Sequence, residues 1–118
     1  MSDDKLTIYH NPKCSKSREA LQILQDNNRQ PEIIEYLQEP PNKQELTKII
    51  ELLGISPRHL LRTTELEYKV NGLDDESISD EEIIEVICEN PSLLQRPVVV
   101  QGSKAIIGRP PTKVLEII

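Results

Sequence analysis

With 118 residues and a formal net charge of −6, the chain is long enough for one domain with a proper core. It lacks the basic field and aromatic stacking surfaces of a general nucleic-acid binder. Two cysteines are too few for a disulfide framework, no apolar run approaches a membrane span and the start is acidic where a signal peptide is basic, so the expected location is a reducing cytoplasm.

Residues 5–10 alternate as a strand does, with Leu6, Ile8 and His10 on one side and Thr7 and Tyr9 on the other. Asn11-Pro12 stops that strand, since proline cannot donate to a ladder and pushes its predecessor out of helical space. From about Ser15 the period becomes helical, with Ala20, Leu21, Ile23 and Leu24 forming an apolar stripe that fades at Asn27-Asn28. Residues 32–36 form a second short strand, and strand-helix-strand within about 30 residues is a βαβ unit with parallel strands.

Pro40-Pro41 marks a boundary, and residues at about 42–92 read as a helical insertion. Asn42 with Glu45 makes a capping-box start, Leu46, Ile49, Ile50 and Leu53 follow at helical spacing, and Gly54 sits where a left-handed C-cap belongs. Ser56-Pro57 opens a short helix carrying Leu60 and Leu61. Thr64 with Glu67 is placed to cap a brief turn before Asn71-Gly72. Ser79 with Glu82 opens a helix carrying Ile83, Ile84 and Ile87 and closed by Asn90-Pro91. The chain then returns to strand over residues 97–100, turns at Gly102-Ser103 and comes back over residues 104–107. A final helix places Val114, Leu115 and Ile118 inward. The order β-α-β, helical insertion, β-β-α predicts an α/β fold of the thioredoxin-like (glutaredoxin) type with a mixed four-stranded sheet, spanning residues 1–118 as one domain.

Cys14 lies at the junction of the first strand and the first helix. An unperturbed thiol is only about 3% ionised at pH 7, and a helix N-terminus is one of the few local devices that lower its pKa. Lys13, Lys16 and Arg18 add positive charge nearby. A dithiol exchange site needs Cys-x-x-Cys, but Ser17 holds the second position; a phosphatase loop needs five residues between Cys and Arg, but only three separate Cys14 from Arg18. A single nucleophile remains, dependent on an outside thiol. His10 is either a structural imidazole or, protonated, a stabiliser of the thiolate. Ser17 either bonds backbone or donates to the sulfur. Cys88, on the apolar stripe of its helix, reads as a small hydrophobe. Two histidines and two cysteines at no zinc-ligand spacing predict no metal.

Arg62, Arg96 and Arg109 each sit at an awkward place for a merely solvated charge: after two leucines, before Pro97, and between Gly108 and Pro110. Taken singly each is accounted for as a surface residue. In a thioredoxin-like fold the Arg96-Pro97 corner abuts the first helix, and guanidiniums converging there suit a tetrahedral oxyanion.

His10-Asn11-Pro12-x-Cys14-x-x-Ser17-Arg18, Leu61-Arg62, Arg96-Pro97-Val98-Val99-Val100 and Gly108-Arg109-Pro110 together resemble the glutaredoxin-dependent arsenate reductases. The resemblance covers residues 5–118. It implies a cis bond at Arg96-Pro97, attack of Cys14 on arsenate, Arg62, Arg96 and Arg109 around the oxyanion, and His10 and Ser17 stabilising the thiolate. It further implies glutathione as co-substrate and glutaredoxin as partner, with no tightly bound cofactor. Two other readings compete. One is a regulator similar to Spx that docks RNA polymerase, whose Cys-x-x-Cys pair Ser17 breaks; the other is a glutathione-linked reductase of another substrate, since sulfate, phosphate and arsenate share a shape.

Overall fold

The sheet grows outward from the first strand. In the computed structural model, which describes residues 5–118, β1 (Leu6–His10) is flanked by β2 (Glu32–Glu35) and β3 (Val98–Gln101), and β4 (Lys104–Ile107) lies outside β3. The acidic start at residues 1–4 lies outside the described residues. β1 runs parallel to β2 and antiparallel to β3, and β3 to β4 is a hairpin whose two-residue turn is Gly102-Ser103. A parallel pair needs a crossover, and α1 (Ser15–Asp26) supplies it. This mixed four-stranded α/β arrangement is thioredoxin-like.

By contact the chain divides into two compact units. One comprises the chain up to Glu39 together with Arg96–Ile118; the other is Pro40–Gln95. In the first, Leu6 and Ile8 from β1 and Val99 from β3 pack with Ala20 and Leu24 of α1 and with Val114 and Ile117. The last two come from the C-terminal segment, where Val114 is inward as expected and Ile118 packs partly buried against the core, but Leu115 needs correction. Residues Pro111–Glu116 form a 3₁₀ helix, and Pro111, Val114 and Ile117 are buried while Leu115 is half exposed. A 3₁₀ turn repeats every three residues, so the buried face reads 111, 114, 117, and Leu115 falls outside it.

The second unit is helical. α2 (Lys43–Leu53) starts in a complete capping box, with the Asn42 side chain accepting from the Glu45 amide at 2.8 Å and the Glu45 carboxylate accepting from the Asn42 amide at 3.2 Å. It ends at Gly54 with φ +68°, the left-handed cap. A 3₁₀ turn at Pro57–Leu60 precedes α3 (Leu66–Val70) and α4 (Asp80–Glu89), the latter capped by Ser79. The cap expected from Thr64 does not form: α3 begins one residue later, at an N-cap Glu65 whose side chain makes no cap bond. Leu46, Leu60, Leu73, Ile83, Ile87 and Leu93 are buried in this unit. No helix among the described residues is long and apolar enough to cross a membrane.

Candidate active site at the end of the sheet

Strand register gathers the chemistry. Val98 pairs with Ile107, so one step outward Pro97 lies opposite Gly108, a step confirmed by the Gly108 amide donating to the Pro97 carbonyl at 2.8 Å. One step further, Arg96 lies opposite Arg109. Continuing the pairings of β1, which match Tyr9 with Val98 and His10 with Glu35, sets Asn11 in the same row as Arg96 and Tyr36. Four segments adjacent in the sheet, at about 4.8 Å spacing, therefore bring Tyr36, Asn11, Arg96 and Arg109 to one end. Residues 60 or more apart in sequence meet because the strands do.

Cys14 stands just beyond that end as the N-cap residue of α1, in extended conformation. The turn before it is braced locally: the Cys14 amide donates to the Asn11 carbonyl and the Lys13 amide to Asn11 Oδ1, each at 3.0 Å, while Arg18 Nη1 donates to the Pro12 carbonyl at 2.9 Å. Partial burial alone would raise the thiol pKa. The Ser17 amide, the Arg96 guanidinium and the Lys16 amide outweigh it, and the pKa lies below the ordinary thiol value. The sulfur thus occupies the place of a capping oxygen, facing the unpaired amides of the first helical turn. Cys88, on α4, is shifted the opposite way, first by burial and then by Glu89, Glu45 and Glu85. Alkylation with iodoacetamide should therefore label Cys14 with a midpoint below the free-thiol value of about 8.5 and Cys88 only at higher pH. Peptide mass spectrometry across a pH series separates the two, and equal midpoints would contradict the assigned environments.

His10 and Ser17 are both buried and joined to each other. His10 Nδ1 shares a hydrogen bond of 2.6 Å with Ser17 Oγ, which also accepts from the Asn11 amide at 3.0 Å. The Ser17 hydroxyl ties the strand end to the helix, and its backbone amide faces the thiol. Burial lowers the His10 pKa, more than Glu35 raises it, which disfavours the protonated ring. The cation that interacts with the Cys14 thiol is Arg96.

Arg109 is fixed by Nε donating to the Arg96 carbonyl at 2.8 Å, which leaves both terminal nitrogens of its fork to face elsewhere. The Arg96-Pro97 and Arg109-Pro110 peptide bonds are both cis. Arg62 belongs to the helical unit, where its amide donates to the Leu93 carbonyl at 2.7 Å and its Nε lies 3.7 Å from Glu65 Oε2. Sequence reasoning missed Tyr36, which it read only as the last residue of a strand. Tyr36 is fully buried one residue past β2, and its phenol and the Cys14 thiol both interact with Arg96 and raise its pKa against the effect of burial. Among the described residues, no group of three or more His, Cys, Asp or Glu side chains is placed to hold a metal ion.

Gly108 is the close approach that keeps the corner intact. A Cβ there would lie 3.0 Å from Pro97 Cγ and 3.3 Å from Val114 Cγ1. Gly108→Ala should cost about 1–3 kcal/mol of stability by overpacking, read from the denaturant midpoint. A variant as stable as wild type would mean that this corner is not tightly packed.

The geometry can be set beside known proteins. The chain is 46% identical over 115 residues to the uncharacterized protein YfgD of Escherichia coli (strain K12), spanning 97% of each. It is 46% identical over 112 residues to an arsenate reductase of Haemophilus influenzae, covering 94% of this chain and 97% of that one. A solved arsenate reductase from Vibrio cholerae matches with a TM-score of 0.94 at 42% identity, over 97% of this chain and 98% of the other. The family model described as ArsC family matches residues 9–117. A single thiol at a helix N-cap position beside paired cis-proline arginines, and likeness across nearly the full length, lead to one conclusion: this chain belongs to the ArsC family.

Proposed function

We propose that the protein is an arsenate reductase in which the Cys14 thiolate attacks arsenate and thiols from outside the chain complete the reduction. One observation carries this reading: the low-pKa thiol is bonded by Arg96, and Arg109 is anchored on the carbonyl of that same arginine. A dianion and a thiolate repel, and fixed guanidiniums offset that repulsion as the sulfur–arsenic bond forms and an arsenate oxygen leaves as water. Arg96 and Arg109 supply this charge at the sheet end, while His10 and Ser17 hold the strand end against the first helical turn.

Conversion of As(V) to As(III) takes two electrons, which two thiols provide when they leave joined as a disulfide. Position 17 is serine, so the motif holds no thiol pair and both reducing thiols come from outside the chain. Glutathione displaces a second arsenate oxygen as water at the cysteine-bound arsenic; a glutaredoxin thiolate then takes the glutathione sulfur, the two leaving as a mixed disulfide while the electron pair stays on arsenic, and hydrolysis of the sulfur–arsenic bond frees arsenite and the Cys14 thiol. Glutathione is thus a co-substrate, no bound cofactor is required, and the chemistry suits a reducing cytoplasm. The homologues named for arsenate reduction support the substrate. The test is arsenite production by the purified protein with arsenate and either glutathione plus glutaredoxin or thioredoxin with its reductase. Turnover that requires both glutathione and glutaredoxin is the expected result. Turnover driven by thioredoxin alone would overturn the route, and none with any donor would overturn the activity.

A further inference from the structure

The geometry points to Tyr36 as the positioning residue for the oxyanion site: its buried phenol, one residue past β2, anchors the Arg96 guanidinium against the Cys14 sulfur. This inference rests on the reading of Arg96 as the cation of the reactive thiol. Tyr36 has no exposed surface, in a chain with only three aromatic side chains. A buried phenol needs a polar partner, and an unfilled hydroxyl would be costly. The register supplies one, because the row that starts at Tyr36 passes Asn11 and reaches Arg96 two strands away, within the combined reach of a tyrosine and an arginine. The phenol and the thiol both interact with Arg96 and raise its pKa against the effect of burial.

Arg96 has few other anchors. Its Nε is buried without a hydrogen-bond partner, and among the described residues no carboxylate pairs with it. A carboxylate there would neutralise the charge that an anionic substrate and a thiolate require. A phenol oxygen accepts from the guanidinium and leaves its charge intact, fixing direction without cancelling attraction. Arg109 is held by the same logic, through a neutral carbonyl.

Tyr36→Phe keeps the ring and removes only the hydroxyl, so the core remains filled. The expected result is a Cys14 alkylation midpoint shifted upward, with the rate at pH 7 lowered about three- to tenfold. A raised KM for arsenate and an unchanged thermal midpoint accompany it. In an Arg96→Ala background the same substitution should change the alkylation rate by less than about twofold, because the group it positions is gone. A wild-type alkylation profile in Tyr36→Phe overturns the proposal, and so does an equal effect with and without Arg96, which would mark a packing role. Should Tyr36→Phe melt early, the background comparison still decides, since a packing loss is felt in both. Alkylation involves no arsenate. A shifted profile with no arsenite made by the wild type leaves this inference standing and removes the proposed activity instead.

Discussion

Cys14→Ser should abolish arsenite production in the coupled assay while leaving the protein folded. A serine hydroxyl is not ionised at neutral pH, and neither the helix-terminal amides nor Arg96 can bring it into range as they do a thiol. It also cannot form the sulfur–arsenic bond from which the outside thiols take over. Fold should be indifferent or improve slightly, because Cys14 is only half-buried and stands at an N-cap position with extended backbone, where serine is a preferred residue. A gain of up to about 1 kcal/mol in denaturant unfolding with no remaining turnover is the expected pair of results. Unchanged turnover would remove the mechanism altogether. Turnover lost together with a large drop in stability would show that the cysteine had been filling space. Cys88→Ser provides the contrast: its thiol is pushed toward the protonated form, so activity should persist.

Much of the scaffold follows from local signals. The capping box at Asn42 and Glu45, the left-handed Gly54 and the two-residue turn at Gly102-Ser103 are each decided by neighbours within a few residues, and each forms as its sequence predicts. The C-terminal segment differs because helical period alone does not distinguish 3.6 from 3.0 residues per turn over six residues. After Pro110-Pro111 the tighter winding moves the buried face from Leu115 to Ile117. At the site, the position of Cys14 was readable because strand end and helix start adjoin in sequence. The downward shift of His10 was not, since it is set by burial, which only the folded unit creates. Tyr36 was hidden for a related reason. Its role depends on Arg96, sixty residues later, and nothing in Glu35-Tyr36-Leu37 distinguishes a strand residue from the anchor of a distant cation.

Arg96→Ala should be the most damaging substitution outside Cys14, because one side chain serves two purposes. It bonds the sulfur, so its loss raises the thiol pKa and shrinks the thiolate fraction at pH 7. It also presents charge where the oxyanion must sit, and removal of one such donor typically costs about 2–4 kcal/mol in the transition state, a fall of about 30- to 1000-fold in kcat/KM. The two losses can be separated by pH. Raising pH above the new thiol pKa restores the thiolate and should recover part of kcat, while the deficit in arsenate affinity persists. Arg96→Lys keeps a charge but not the planar fork that spans phenol and sulfur, so it should restore the thiol pKa more than the KM. Arg109→Ala leaves the thiol untouched, since that guanidinium is anchored on the Arg96 carbonyl, and should raise KM with little change in the alkylation profile. An Arg109→Ala variant with a strongly shifted thiol pKa would mean that the arginines act as one coupled cluster. Wild-type kinetics in both alanine variants would move the oxyanion away from the end of the sheet.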